Sequence, residues 1–150
     1  MNLEDVQTTA KGLIESIPAV ASAQIPVLID DGVYPKIPAR EAGLEAPGVV
    51  LIVFPPHCLG IEGDVARDGT AKYGVGIFVA IEVNTVRNTT QMGVERIINL
   101  VVSALSGKPN TNAPGLGFVP DSQPFVGFEV VDGIRQAVVA FRTVCFINPT

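Results

Sequence analysis

The chain has 150 residues, and its fifteen acidic and ten basic residues leave a formal charge of −5 at neutral pH. This length fits one domain with a self-sufficient core, so residues 1–150 are read as a single domain. Charged residues are 17% and the mean hydropathy is +0.40, which excludes a disordered chain and is high for a monomer. The acidic balance, without a lysine or arginine run, argues against nucleic-acid binding through a basic patch.

The sequence contains no candidate for a membrane-spanning segment or a targeting signal. The longest unbroken apolar run, Val49–Phe54, is far shorter than the roughly 18–20 residues of a spanning helix. The first residues carry acid where a signal peptide carries base, so we expect a cytosolic protein with no membrane contact. Two cysteines, Cys58 and Cys145, form no framework and are expected to be free thiols.

His57 is the one histidine of the sequence, and Cys58 follows it directly. Neighbouring residues in an extended segment point to opposite sides, and Pro55-Pro56 favours that conformation, so a nucleophile–base pair is not expected. A zinc site of His57, Cys58 and Cys145 would lack the usual ligand spacing. Phosphate-loop and nucleophile-elbow motifs are missing from the sequence. We therefore expect no enzyme activity, no cofactor and no metal.

The first part of the chain reads as a helix and two strands. Apolar residues at steps of three and four predict a helix over residues 3–17, which Pro18 ends. A short β-branched run predicts a strand over 25–29. Residues 30–48 are rich in proline and glycine and are predicted to be a surface loop. The continuous apolar run over 49–54 predicts a strand covered on both faces.

Residues 57–70 are polar and glycine-rich, and strict alternation over 72–83 then predicts the clearest strand of the sequence. The strands on either side of 57–70 are predicted to be hairpin partners joined by a long arm. We expect this arm to lie outside the core, to be mobile in the free protein and to become ordered when it docks on a neighbouring molecule. The alternative is a free surface loop without contacts. Gly74 and Gly76 lie inside the strand pattern, where glycine usually marks a bulge or a close approach.

A second helix follows, with an apolar set that runs from Val94 to Leu105 and a cap predicted at Thr89 or Thr90. Another loop is predicted over 108–124.

The last part of the chain predicts a hairpin of strands 125–131 and 134–147 around the turn Asp132-Gly133. One face of this hairpin is predicted to be core: Val126, Phe128, Val130, Ala137, Val139, Phe141, Cys145 and Ile147. The other face is mixed: Phe125, Glu129, Gln136, Val138, Ala140, Arg142 and Val144.

These elements predict an α+β fold of order α-β-β-β-α-β-β, with an antiparallel or mixed sheet, two helices on one face, long loops and a hairpin arm. Two helices cover one face of such a sheet, so the apolar residues of the second face predict self-association. The alternative is that the long loops fold back over that face. The residues predicted to take part in protein contacts are Glu62, Asp64, Arg67, Asp68, Val138, Arg142 and Val144.

The order of these elements carries a resemblance to a known family. An amphipathic helix, a proline-rich loop and a hairpin with a long arm precede the helical segment Met92–Leu105, and a loop and a terminal hairpin follow it. This layout resembles the tail terminator (tail completion) proteins of long-tailed bacteriophages and related minor tail proteins. The resemblance covers nearly the whole chain and rests on element order and loop placement.

The resemblance implies a structural virion protein without catalytic residues or cofactors. Terminators form a ring, commonly a hexamer, which docks on the last ring of the tail tube and faces the head–tail connector; the sheath is a further candidate neighbour. The expected location is the head-proximal end of the tail, after assembly in the host cytoplasm. Two alternatives remain: another neck, head-completion or minor tail protein, and a cellular small-ligand binding domain or enzyme. The second would need convergent polar groups, for which the candidates are Asp30, Asp31, Glu129 and Arg142.

Overall fold

A computed structural model describes residues 3–30, 37–107, 109–110 and 113–147, with the side chains of 5–30, 38–107, 117–121, 130 and 132–146. The α+β class and the mixed sheet are confirmed. In chain order the elements are α1 (Leu3–Glu15), α2 (Pro18–Ser22), β1 (Val27–Ile29), α3 (Ile37–Glu45), β2 (Val49–Val53), β3 (His57–Ile61), β4 (Ala71–Asn84), α4 (Val94–Leu105), β5 (Pro109–Asn110), β6 (Ala113–Gly117), β7 (Val119–Val131) and β8 (Ile134–Ile147).

Six strands form the main sheet, in the order β1-β2-β4-β8-β7. Strand β1 is parallel to β2, and the other pairs are antiparallel. The pairing of β2 with β4 confirms the predicted hairpin partners. Strand β3 pairs with the first half of β4, along the same edge on which β2 pairs with the second half. Strands β5 and β6 form a separate two-stranded sheet.

The first face of the sheet is covered by α1 and α4, as predicted. Helix α1 contacts β1 and β2, and α4 contacts β4 and β8. The side chain of Gln7 is buried there, and its Nε2 donates to the carbonyls of Asp30 (2.8 Å) and Val53 (2.9 Å), which ties α1 to the ends of two strands. The core between these layers includes Val6, Ala10, Ile14, Leu51, Val53, Ile77, Val79, Ile81, Ile97, Val101, Leu105, Val139, Phe141 and Cys145.

The second face carries a helix that the sequence did not predict. Helix α3 lies within the expected loop 30–48, of which residues 31–36 lie outside the described part. Pro38 occupies the first turn of the helix, where a missing N–H costs nothing, and Pro47 follows the last turn, so neither proline interrupts the helix. A Cβ on Gly43 would lie 2.5 Å from Val50 Cγ2, so α3 packs closely on β2. The two predicted helices cover one face of the sheet, and α3 in addition covers part of the other face.

Other boundaries also differ from the prediction. Helix α1 ends at Glu15, and Pro18 starts the short helix α2, for which its fixed φ is suited. The predicted loop 108–124 contains β5, β6 and the first residues of β7. The first residues of β7 pair with β8, farther along the chain, whereas β5 and β6 pair with each other within the segment. Because the segment is rich in proline and glycine, none of these strands leaves a periodic signal in the sequence.

The cap predicted for α4 is wrong. The N-cap is Gly93, without a side-chain cap. The hydroxyl of Thr90 instead donates to Asn88 Oδ1 (2.6 Å) and accepts from the Met92 amide (3.2 Å). Thr90 therefore holds the loop before the helix.

The terminal hairpin turns at Asp132 and Gly133, whose positive φ values of 51° and 78° fit a type I′ turn and confirm the prediction. The register of Glu129 with Gln136 is also as predicted. Bulges farther along β7 pair Phe125 with Val139, where a regular hairpin would pair it with Ala140. Most side chains of β7, from 122 to 129, lie outside the described part.

Val130, predicted to be core, is 64% exposed, which corrects that assignment. It lies near the hairpin turn on β7, which has β8 as its one partner within the main sheet. Edge position and distance from the helices leave its side chain in solvent.

Candidate interaction surface

The arm, residues 57–70, begins with β3, which is hydrogen-bonded to β4. All five residues of β3 are exposed. The arm also contains three large apolar side chains outside the core: Leu59, Ile61 and Val65 are 44%, 52% and 52% exposed. The arm was expected to be a polar, glycine-rich and mobile segment; its first five residues instead form a strand that pairs with β4 and with no other strand of the described residues.

Two glycines of β4 allow the arm to lie against the sheet. A Cβ on Gly76 would lie 2.4 Å from His57 Nε2, and one on Gly74 would lie 2.9 Å from Glu62 Oε1. The predicted close approach is confirmed, and it is made by arm side chains. The His57 ring fills the space over Gly76 and stacks on Phe78, with centroids 5.0 Å apart.

The base of the arm is also held by charge. Glu62 is half-buried, its amide donates to the Lys72 carbonyl (2.7 Å), and its Oε2 lies 3.6 Å from Lys72 Nζ. This exposed ion pair adds little stability by itself. Together with the glycine contacts, it fixes where the arm leaves the sheet.

The tip of the arm is an ordered turn. The amide of Ala66 donates to the Thr70 carbonyl (2.8 Å), and Asp68 Oδ1 accepts from the Thr70 amide (2.9 Å). Hydrogen bonds from the amide and the hydroxyl of Thr70 lower the pKa of the Asp68 carboxyl. Asp64, Val65 and Arg67 are exposed on this tip. The tip therefore presents charge and an apolar side chain on a defined backbone.

Four residues of β8, Val138, Arg142, Val144 and Phe146, lie on the second face of the sheet, and we call them the second-face strip. One end of this strip lies beside the base of the arm. Val144 pairs with Gly74 and Arg142 with Gly76, while Val138 pairs with Ala80 farther along. The valines of the strip are half-buried, Arg142 is exposed, and Phe146 at its end is 41% exposed. The structure thus joins the arm to a strip formed by Val138, Arg142, Val144 and Phe146.

Helix α3 covers part of the second face through an ion pair whose carboxylate is buried and whose guanidinium is partly exposed. Glu82 on β4 is 2% exposed. Arg40 of α3 donates from Nε to its Oε1 (2.6 Å) and from Nη2 to its Oε2. The hydrogen bond to Glu82 raises the pKa of Arg40. Sequence reasoning missed this pair, although a lone acid inside an apolar strand is the signal for a buried partner.

A groove lies at the opposite end of the sheet, between α2 and the start of α4. We call it the α2–α4 groove; its volume is about 430 Å³, and it is lined by Ala19, Ser22, Ala23, Thr89, Thr90, Gln91, Met92 and Arg96. Sequence reasoning missed it because α2 was not predicted. A second groove of about 430 Å³, between α1 and α4, is lined by Leu13, Ser16, Ile17, Pro18, Leu100, Ser103 and Ala104.

The residues considered for catalysis or metal binding are dispersed. His57 pairs with Gly76 and Cys58 with Val75, so the two lie on opposite faces of the sheet, as predicted. Cys58 is exposed and Cys145 is buried, and the two are not joined by a disulfide bond. Within the described ranges, no three His, Cys, Asp or Glu residues form a group that could hold a metal ion.

The alternative polar set is spread across the sheet. Asp30 follows β1, while Arg142 lies on β8, with β2 and β4 between these strands. Asp31 and the Glu129 side chain lie outside the described residues. Among the helices of the described part, none has the length and apolar character needed to cross a membrane.

Comparison of the sequence with models of known protein families and with curated proteins gave no match.

Proposed function

We propose that this protein is a structural virion protein, a tail terminator of a long-tailed bacteriophage. Its copies form a ring, a hexamer in the common form, that caps the tail tube and joins it to the head–tail connector. The observation that carries the proposal is the exposed surface that the arm and the neighbouring residues of the second-face strip form on one side of the sheet. The phage context comes from the resemblance in element order.

The apolar part of this surface supports self-association. Leu59 lies over Gly74, and Gly74 pairs with Val144, so exposed arm residues and the strip share one side of the sheet. Phe146 extends this side at the position paired with Lys72. Contiguous apolar surface outside a core is typical of protein interfaces. We assign this side to the contact with a neighbouring subunit.

The charged part supports a defined register between subunits. Asp64, Arg67 and Asp68 lie within five residues at the tip of the arm. Exposed charges of this kind add little affinity each, but they select the orientation and speed of encounter. An arm that projects from one side meets a different surface on its neighbour. Such a heterologous contact rotates each subunit by the same angle relative to the one before it. The subunits close into a ring when a whole number of these rotations makes a full turn.

The dispersal of titratable groups favours an assembly role over catalysis. His57 stacks on Phe78 and faces away from Cys58. The α2–α4 groove is open and has one ionisable lining residue, Arg96. A catalytic pocket needs several polar groups aimed at one point.

The test is assembly with isolated tail tubes. The purified protein, alone and mixed with tubes of the phage that encodes it, is examined by sedimentation velocity and electron microscopy. We expect rings, and a ring at one end of each tube that stops further growth. A monodisperse monomer that never assembles, even with tubes, overturns the proposal. Rings that bind connectors but never tubes favour a neck or head-completion protein instead.

A further inference from the structure

We infer that the tip of the arm of one copy binds the α2–α4 groove of the next copy, with Val65 inside the groove and Asp64 paired with Arg96. This inference rests on the proposed ring and names the contact that closes it. The occupant is a second copy of this chain.

The charges of the two surfaces are complementary. Residues 62–69 include three acids and one base. Glu62 lies beside Lys72 and Asp68 accepts from Thr70, whereas Asp64 is exposed in front of the turn. The groove has Arg96 as its charged lining residue, and Arg96 is exposed. Opposite charges on a protruding tip and a receiving groove favour encounter in one orientation.

The shapes are also compatible. The groove volume of about 430 Å³ is enough for a valine side chain and part of the adjoining backbone. Ala19, Ala23 and Met92 supply apolar lining, and Thr89 and Thr90 supply hydroxyls. Val65 is 52% exposed on an ordered turn, so binding it requires little loss of backbone freedom.

Distance excludes the same contact within one copy. The arm lies beside the first residues of β4, whereas the groove lies near its last residue, because Asn84 donates to Gly48 and Thr89 donates to Pro47. Strand β4 has 14 residues, which places its ends about 43 Å apart. The tip and the groove therefore belong to opposite ends of the subunit, as a head-to-tail contact requires.

Charge reversal tests the pair. Asp64→Arg and Arg96→Glu are each expected to weaken self-association about tenfold or more, and the double variant is expected to recover most of it. Glu45→Arg, which makes the same charge change at an exposed position of α3, is the matched control and is expected to assemble normally. Thermal unfolding of each variant verifies the fold. If both single variants assemble like the control, or the double variant shows no recovery, the inference is overturned.

A cross-linking experiment separates this inference from the proposed function. Val65→Cys and Ala23→Cys, each in a Cys58→Ser background, are mixed under mild oxidation. We expect a disulfide-linked dimer with one copy of each variant. Rings without this cross-link and without charge rescue overturn the inference and leave the terminator proposal standing. Cross-linking and rescue in rings that never cap tubes support the inference and overturn the terminator proposal.

Discussion

The imidazole ring of His57 and the phenyl ring of Phe78 lie nearly parallel, with centroids 5.0 Å apart and planes inclined by 16°. His57 belongs to the arm and Phe78 to the central strand β4. The stack is possible because Gly76 has no side chain and leaves room for the His57 ring. The absence of a side chain at Gly76 therefore determines how the first residues of the arm pack on β4.

The first prediction concerns the contact between the His57 ring and Gly76. Gly76→Ala places a Cβ against the His57 ring and is expected to displace the ring from Phe78, at a cost of about 0.5–1.5 kcal/mol in the free energy of unfolding. The His57 ring-proton shifts in NMR spectra report the loss of stacking. In a His57→Ala background, the same substitution should cost much less.

Gly12→Ala is the matched control, because nothing lies within 4 Å of a Cβ on Gly12 in α1. It is expected to stabilise the helix by about 0.5–1 kcal/mol. Unchanged His57 shifts in Gly76→Ala would mean that the ring does not occupy this space.

The second prediction concerns the buried carboxylate of Glu82. Arg40→Leu leaves this charge without its partner and is expected to lower the free energy of unfolding by about 3–5 kcal/mol, measured by urea denaturation. Adding Glu82→Leu should recover much of the lost stability, because two leucines in place of the ion pair leave no buried charge that needs a partner. Lys11→Ala breaks the exposed pair with Glu15 and should cost under about 0.5 kcal/mol. Equal costs for Arg40→Leu and Lys11→Ala would mean that Arg40 does not compensate the buried charge of Glu82.

The third prediction separates assembly from folding on β8. Val138→Asp and Val144→Asp place a charge on the half-buried strip and should weaken self-association more than they lower stability. Val139→Asp is the matched control one residue away, on the fully buried first face, and should prevent folding. Sedimentation velocity and thermal unfolding are measured on each variant. Equal loss of fold in Val138→Asp and Val139→Asp would make Val138 ordinary core.

The fourth prediction gives the pH dependence of the arm tip. Hydrogen bonds from Thr70 hold the pKa of Asp68 below its ordinary value of 3.8. Because the carboxyl is more acidic in the folded turn, its stabilisation is complete above the ordinary value and is lost as the pH falls through the lowered one. The Thr70 amide shift should report that loss.

Two variants test whether Asp68 causes the pH dependence of the Thr70 amide shift. Asp68→Ala should remove the titration of the Thr70 amide, whereas Asp64→Ala should leave it intact. A Thr70 amide shift that titrates in Asp68→Ala would assign the effect to another group.

Local patterns predicted the elements whose signal lies within a few neighbouring residues. The alternation of 72–83 predicted β4, the apolar steps from Val94 to Leu105 predicted α4, and Asp132-Gly133 predicted the turn before β8. Each pattern follows from a backbone period or a positive φ, so a short window of sequence is sufficient. The α+β class follows from their order.

Tertiary structure decided the features that join distant residues. The carboxylate of Glu82 is compensated in the core by Arg40, which lies 42 residues earlier in the chain. Arg40 belongs to α3, a helix that the sequence did not predict because prolines lie within and after it. Strand β3 pairs with β4 because Gly74 and Gly76 leave room for arm side chains, which alternation cannot reveal. The groove exists where α2 meets the loop before α4. Periodicity shows which residues of one helix or strand lie on its apolar face and which on its polar face. Burial, strand pairing and grooves depend on which other element packs against that face.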